Sequence, residues 1–380
     1  MARATVGLGV LTLAACNVVA PIYGGDGKGT FADPRILWFY PQAGAIIASE
    51  VDDSSAFFVN RGHQVFAVSK ATGAVRWVTT PYNSGYYPGT ALLLVGQLVV
   101  FPDYELYAFD RRTGALRWVY SDGPTGGPGY TNLASDSTRI FGGSVNGYAY
   151  AVDAVTGTLV WKTKIATDTT YTRVSSPAVN SGLVVVTYRR VEGALTGGVA
   201  ALDAMTGALI WRREFVPAAA IQPSAGYGRA GFWGTLVIIA SEDGRVFALD
   251  RSSGSDVWVI PRPATLRPYE GEWRPLVIVG DVVVLGSNLA SLTGLNAATG
   301  AERWKISLTT TGSQLDPMRV AGGTVYLQLG SGQLAALDPV AGRLLWTTNR
   351  SNSLLFWTYP AVDSTTLFTA GELGFYALRR

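Results

Sequence analysis

The residue types that most often carry acid–base, nucleophilic or metal chemistry are scarce in this chain, which has one histidine, His63, and one cysteine, Cys16, in 380 residues. An intrachain disulfide needs a second thiol, and structural metal sites draw several ligands from this pair of types, so both fall away. His63 ends the run Asn60-Arg61-Gly62-His63 between two apolar segments, a placement that predicts an exposed residue at a hairpin tip. The adjacent carboxylates Asp52 and Asp53, Glu242 and Asp243, and the pair Glu270 and Glu272 each lie beside glycine or serine and read as solvated loop. Neither a Gly-x-Ser-x-Gly elbow nor a phosphate-binding Gly-x-x-x-x-Gly-Lys loop is present. The sequence therefore nominates no catalytic residue, no metal ligand and no cofactor. A net charge of +3, from 30 basic and 27 acidic residues, lacks the basic bias of a nucleic-acid binder, so no nucleic-acid partner is expected.

Cys16 has a setting of its own. Arg3 precedes the apolar stretch 4–13, which is too short to span a bilayer and ends in Leu13-Ala14-Ala15-Cys16. This arrangement resembles the lipobox of bacterial lipoproteins, in which the cysteine is lipidated and becomes the mature N-terminus. It predicts a signal peptide over 1–15 and a lipid anchor at Cys16. By the same resemblance, Asn17 rather than Asp after the cysteine favours the outer membrane. Residues 16–30, with Pro21, Gly24, Gly25, Gly27 and Gly29, have no apolar periodicity and read as a flexible tether. The folded body is expected over 31–380.

That body is long for one compact domain unless an internal repeat enlarges it. Hydrophobic residues make up 48%, charged residues 15%, and 45 glycines with 18 prolines break the apolar runs, a composition suited to many short strands joined by tight turns. One pattern recurs: a β-rich run, an Asp-like residue (Ser69 in the first copy, Asn296 in the sixth), two variable residues, Thr-Gly or a close variant, and Trp four positions beyond the glycine. Its seven copies end in Trp77, Trp118, Trp161, Trp211, Trp258, Trp304 and Trp346, at spacings of 41, 43, 50, 47, 46 and 42 residues. Such a period accommodates four short strands. The Asp oxygen can accept backbone N–H bonds at the start of a turn, and the glycine supplies the positive φ that closes a type I turn with a bulge. Asp-x-x-Thr-Gly is therefore a hairpin, and alternation in the following strand puts the Trp on a buried face.

An eighth unit is divided between the chain ends. Residues 361–378 supply three strands and stop where the turn and the Trp strand should follow, while Ile36-Leu37-Trp38-Phe39-Tyr40 is a Trp-bearing strand without preceding partners. Pairing the two removes the open sheet edges of a linear array, so the sequence predicts an all-β, eight-bladed β-propeller closed by its N-terminal strand in the C-terminal blade.

Eight of the 11 tryptophans belong to the repeat, which leaves Trp233, Trp273 and Trp357. These three are expected in or just beyond the connections between blades, which gather on one face of a propeller. Tyr171 with Arg173, Tyr227 and Tyr269 fall in the same connections. Tyr, Trp and Arg dominate protein–protein hot spots because they join large buried area to a polar handle, so that face is expected to dock a protein.

Over 31–380 the repeat resembles the pyrroloquinoline-quinone-like (PQQ-like) propeller motif, Ala-x-Asp-x-x-Thr-Gly-x-x-x-Trp. The resemblance implies that Trp38, Trp77, Trp118, Trp161, Trp211, Trp258, Trp304 and Trp346 are structural, each docked near the glycine of the neighbouring blade. Quinoprotein dehydrogenases use this fold and typically carry a vicinal Cys-Cys disulfide against the cofactor, which a chain with Cys16 alone cannot form. A lipid anchor on a propeller without catalytic residues resembles instead the BamB family of outer-membrane assembly lipoproteins. That resemblance implies a noncatalytic, periplasm-facing scaffold for a BamA-type barrel insertase, with Arg173 at the contact. Thr170 and Thr172 stand where that family would carry leucines. A quinoprotein-type cofactor binder and a general cell-surface sensor or adhesion propeller are the competing readings.

Overall fold

The computed structural model describes residues 35–41, 45–81, 91–122, 132–165, 172–190, 197–215, 228–241, 244–261, 273–287, 291–308, 318–329, 333–348, 360–371 and 374–380; for 273–275 it describes the backbone alone. These residues form 32 strands in eight antiparallel sheets of four. Blades 1 to 7 occupy 46–79, 93–120, 134–164, 172–215, 231–260, 273–307 and 319–347, each a simple up-and-down meander. Blade 8 takes Ala361–Val362, Thr366–Gly371 and Gly374–Arg379 from the C-terminus and is completed by Ile36–Pro41, whose Phe39 pairs with Tyr376 and Tyr40 with Phe375. The eight blades and the composite closure are thus as the sequence predicts.

The first strand of each blade faces the ring axis. First strands of blades 3 and 4, 5 and 6, 6 and 7, 7 and 8, and 8 and 1 touch one another, as they must where wedge-shaped sheets converge. Fourth strands form the rim, and their exposed and covered residues alternate, as in Leu116–Tyr120. The middle strands do not alternate: Ser55–Asn60 and Leu106–Asp110 are buried throughout. A propeller sheet is covered on both faces by its neighbours, so both side-chain sets of an inner strand are core. Phe58 packs toward blade 8, with its ring 4.4 Å from Phe375, while Phe57 and Val59 pack toward blade 2. Each of the eight blade interfaces holds its own apolar cluster.

The repeat motif joins these clusters at the rim. In blade 2, Asp110 Oδ1 accepts the N–H groups of Arg112 and Thr113 at 3.1 and 2.9 Å and the Thr113 hydroxyl at 2.9 Å. Gly114, at φ 73°, donates its N–H to Asp110 O. An added Cβ on Gly114 would lie 2.7 Å from the Trp77 ring of blade 1, and on Gly157 it would lie 2.5 Å from Trp118. Glycine is therefore required twice over, by its backbone angle and by the indole lying on it. Each indole then donates Nε1–H to the carbonyl of the residue after the motif Asp in the next blade. Trp38 bonds Lys70 O at 2.8 Å, Trp77 bonds Arg111 O at 3.0 Å, Trp118 bonds Ala154 O at 3.2 Å and Trp161 bonds Ala204 O at 3.0 Å. Trp211, Trp258 and Trp304 bond Arg251, Ala297 and Pro339 in the same way. At each of these seven boundaries a ring is buried or half-buried and its one polar atom satisfied by the same contact.

Candidate interaction surface

A four-stranded meander fixes what each end of the ring carries. Starting at one end, the first strand runs to the other, so the turns between second and third strands and the connections between blades share the starting end. The first hairpins and the Asp-x-x-Thr-Gly turns share the opposite end. The connection end is where the sequence expects docking residues.

Arg173 lies there, in the first strand of blade 4, Thr172–Asn180, paired with Arg189 on the second strand. Thr187, two residues from Arg189 and on the same sheet face, reaches Gly228 O of blade 5, which places Arg173 and Arg189 on the side turned toward that blade. Trp273 opens the first strand of blade 6 at the same end, paired with Ser287. Trp233 is elsewhere, a correction to the sequence expectation: it ends the three-residue strand Gly231–Trp233 beside the Gly234 turn, at the opposite end of the ring. There it packs, half-buried, on the apolar cluster between blades 5 and 6. The strand is short, and its three residues carry the chain across the sheet before the indole is reached. Tyr171, Tyr227, Tyr269 and Trp357 lie outside the described residues, as do Glu242, Asp243, Glu270, Glu272, the anchor residue Cys16 and the segments 1–15 and 16–30.

His63 is a second correction. It is 4% exposed rather than a solvent-facing turn residue, and its Nδ1 lies 2.7 Å from Asp103 Oδ2 of blade 2, a carboxylate with no exposed surface. The local cause is legible once the turn is seen. Asn60 Oδ1 accepts Gln64 N–H at 2.9 Å, Asn60 O accepts His63 N–H at 3.0 Å, and His63 takes a left-handed φ of 60°, which turns the imidazole inward. Both residues sit at turns between second and third strands, so the pair ties neighbouring blades at the connection end. A carboxylate on Nδ1 is how a general base is oriented, but this ring presents almost no surface to a substrate, and the contact reads as an inter-blade tie. Of the carboxylate pairs, Asp52 Oδ1 caps the turn by accepting the N–H groups of Ser54 and Ser55, while Asp53 is exposed.

Sequence reasoning missed a cluster at the ring axis. Glu50, on the first strand of blade 1, is 2.5 Å from Arg319 on the first strand of blade 7, so the pair spans blade 8. Blade 8's own first strand, between them, is only Ala361–Val362. Arg229, leading into the first strand of blade 5, feels both charges. Burial raises the Glu50 carboxyl above its ordinary pKa, against the pull of Arg319. Arg229 falls below the usual guanidinium value, first through desolvation and then through repulsion by Arg319, although it is exposed to solvent. No local motif marks Glu50 and Arg319 as partners; only the ring brings the two together.

Among the described residues no group of three or more His, Cys, Asp or Glu side chains is placed to hold a metal ion, and no helix is long and apolar enough to cross a membrane.

Known proteins share both repeat and ring. A protein from Yersinia pestis named outer membrane protein assembly factor BamB is 28% identical over 229 residues, which cover 57% of this chain and 56% of that protein. The protein of the same name from Moranella endobia is 31% identical over 130 residues, 32% of each chain. The matched segments thus span between a third and about half of the length of these relatives. The crystal structure of BamB from Moraxella catarrhalis superimposes with a TM-score of 0.60 at 22% identity, covering 79% of this chain and 85% of that one. A europium-containing methanol dehydrogenase has the same fold, a likeness of architecture alone. The family model described as outer membrane protein assembly factor BamB matches residues 32–195, 102–266 and 195–353, and the chain, a PQQ-like eight-bladed propeller, belongs to that family.

Proposed function

We propose that this protein is a noncatalytic, lipid-anchored scaffold of the cell envelope that assists assembly of outer-membrane β-barrel proteins, its propeller facing the periplasm and docking a BamA-type insertase through the connection end. The observation that carries this reading is the family match along residues 32–353, on a ring in which every motif tryptophan described above is engaged in holding blades together. Support for the docking end comes from Arg173 and Trp273, which stand at the connections where the sequence concentrates Tyr, Trp and Arg. Cys16 after Leu13-Ala14-Ala15 supports the anchor.

Two measurements test the reading. Affinity capture of the tagged, membrane-extracted protein in mild detergent should recover a barrel protein of the BamA type, and Arg173→Glu should reduce the yield; recovery of no such protein overturns the role. Intact mass of the mature protein should begin at a lipidated Cys16, and an unmodified cysteine there removes the anchor. A quinoprotein reading rests on the shared fold with methanol dehydrogenase. It requires quinone absorbance and calcium-dependent dye reduction after reconstitution; the scaffold reading expects neither.

A further inference from the structure

Three exposed aliphatic side chains occupy one equivalent place in the repeat. The second variable position of the Asp-x-x-Thr-Gly turn holds Val155 in blade 3, Met205 in blade 4 and Val340 in blade 7, at 79, 64 and 70% exposure. The turn itself does not need them, since Arg112 and Ser252 fill the same position in blades 2 and 5. Each stands on a fixed backbone, because its own N–H donates to Oδ1 of the motif Asp, at 2.9 Å for Val155 and 3.0 Å for Met205 and Val340. Leu159 and Leu209, two residues past the motif glycines of blades 3 and 4, carry the apolar surface onto the rim, where both are exposed. Single apolar residues scattered over a surface need no explanation, but one turn position filled three times and continued on two adjacent blades is a patterned face.

All three turns lie at the end of the ring opposite the connections, and the chain enters at that same end, because Ile36–Pro41 is the fourth strand of blade 8 and runs from it. Cys16 stands about 20 residues before that strand, and a flexible chain of such length has a root-mean-square span of about 25 Å. An anchor at Cys16 therefore holds the Asp-x-x-Thr-Gly end toward the bilayer and leaves the connection end toward protein partners. Charge at the anchored end is balanced within it: Lys70 pairs with Asp363 at 2.9 Å, Arg117 with Asp110 at 2.6 Å and Arg111 with Asp52 at 3.5 Å. Paired charges and projecting aliphatic tips fit a headgroup layer without net charge, into which Val and Met sink while the paired groups stay hydrated. We propose that the Asp-x-x-Thr-Gly end rests on a zwitterionic phospholipid surface, with Val155, Met205 and Val340 inserted among the headgroups. The orientation rests on the anchor reading above, and a weak contact suffices there, because a tether supplies a high effective concentration.

Residues 17–380 contain the whole ring and no cysteine, which separates this contact from lipidation. In that chain the variants Val155→Cys, Met205→Cys and Val340→Cys, with the exposed Arg61→Cys at the connection end as control, each carry one thiol for an environment-sensitive fluorophore. Titrated with phosphatidylcholine vesicles to millimolar lipid, the three turn positions should shift their emission to the blue and be quenched by lipid spin-labelled at the headgroup. Arg61→Cys should not respond, and added salt should leave the binding unchanged. In vesicle flotation, combining Val155→Asp, Met205→Asp and Val340→Asp should lower the partition coefficient by about tenfold or more. No response at the three positions overturns the proposal, and so does an equal response at Arg61→Cys. Loss of binding in salt also overturns it, because attachment would then run through charge. Should the triple variant fail to fold by circular dichroism, the labelled single variants still decide. An unmodified Cys16 in the intact-mass measurement would remove the anchor without moving any of these readouts.

Discussion

The Arg35 guanidinium lies 4.3 Å from the Trp346 ring centroid and donates through Nη2 to Thr347 O at 3.0 Å. Every other motif indole described here rests on the glycine of the next blade, but Trp346 faces blade 8, where the chain ends replace the Asp-x-x-Thr-Gly turn. An arginine from the N-terminal strand stands in for the missing contact. Arg35→Ala should lower the unfolding free energy by about 1 kcal/mol, the scale of an exposed cation–π contact plus a hydrogen bond, read from denaturant midpoints. Arg35→Lys should lose less. An unchanged midpoint for Arg35→Ala would show that closure does not use this contact.

Gly157→Ala and Gly96→Ala isolate what the indole adds. Both glycines have positive φ, 71° and 52°, so both substitutions incur backbone strain of about 1–2 kcal/mol. Only at Gly157 would the new Cβ meet an indole, 2.5 Å from Trp118, whereas Gly96 has open space around it. Gly157→Ala should therefore be the more destabilising by about 1–3 kcal/mol, the usual range for overpacking. Equal losses in urea unfolding would mean that the indole yields freely.

The buried pair His63 and Asp103 predicts strong coupling. Removing either partner leaves a polar group in the core, so Asp103→Ala and His63→Ala should each cost about 3 kcal/mol. The double variant should cost much less than their sum, because the second substitution removes the group that the first left unsatisfied. Strict additivity in a double-mutant cycle would mean that the two side chains do not interact.

The repeat turns predict acid sensitivity. The hydrogen bond from Arg117, reinforced by those from Thr113 and Arg112, holds the Asp110 carboxyl at about 2 against an ordinary 3.8. Bonds from the following turn residues also lower Asp153, Asp203 and Asp250. Because the folded pKa is depressed, this stabilisation is fully present above the unfolded value and is lost as pH falls through the folded one. Melting temperature should thus drop between about pH 4 and pH 2. Asn296 already fills the motif position in blade 6, accepting the N–H groups of Ala298 and Thr299. Asp110→Asn should keep the turn and flatten the acid limb of the profile, and an undiminished acid slope would locate the sensitivity elsewhere.

The amino-acid sequence by itself determined the turn, the strand order within a blade, the eightfold count and the sharing of the last sheet between the chain ends. Each of these is written in short-range pattern: Asp, Thr-Gly and Trp occupy fixed offsets because one hairpin and one indole contact impose them. The sequence also placed Arg173 and Trp273 at the connection end. Tertiary structure alone decided that His63 is core, that Trp233 lies at the opposite end of the ring, and that middle strands are buried on both faces. It also decided that Glu50 meets Arg319, 269 residues away. The physical reason is shared: these outcomes depend on what the neighbouring wedge presents across an interface or across the axis. No local period encodes a partner that becomes adjacent only when the circle closes.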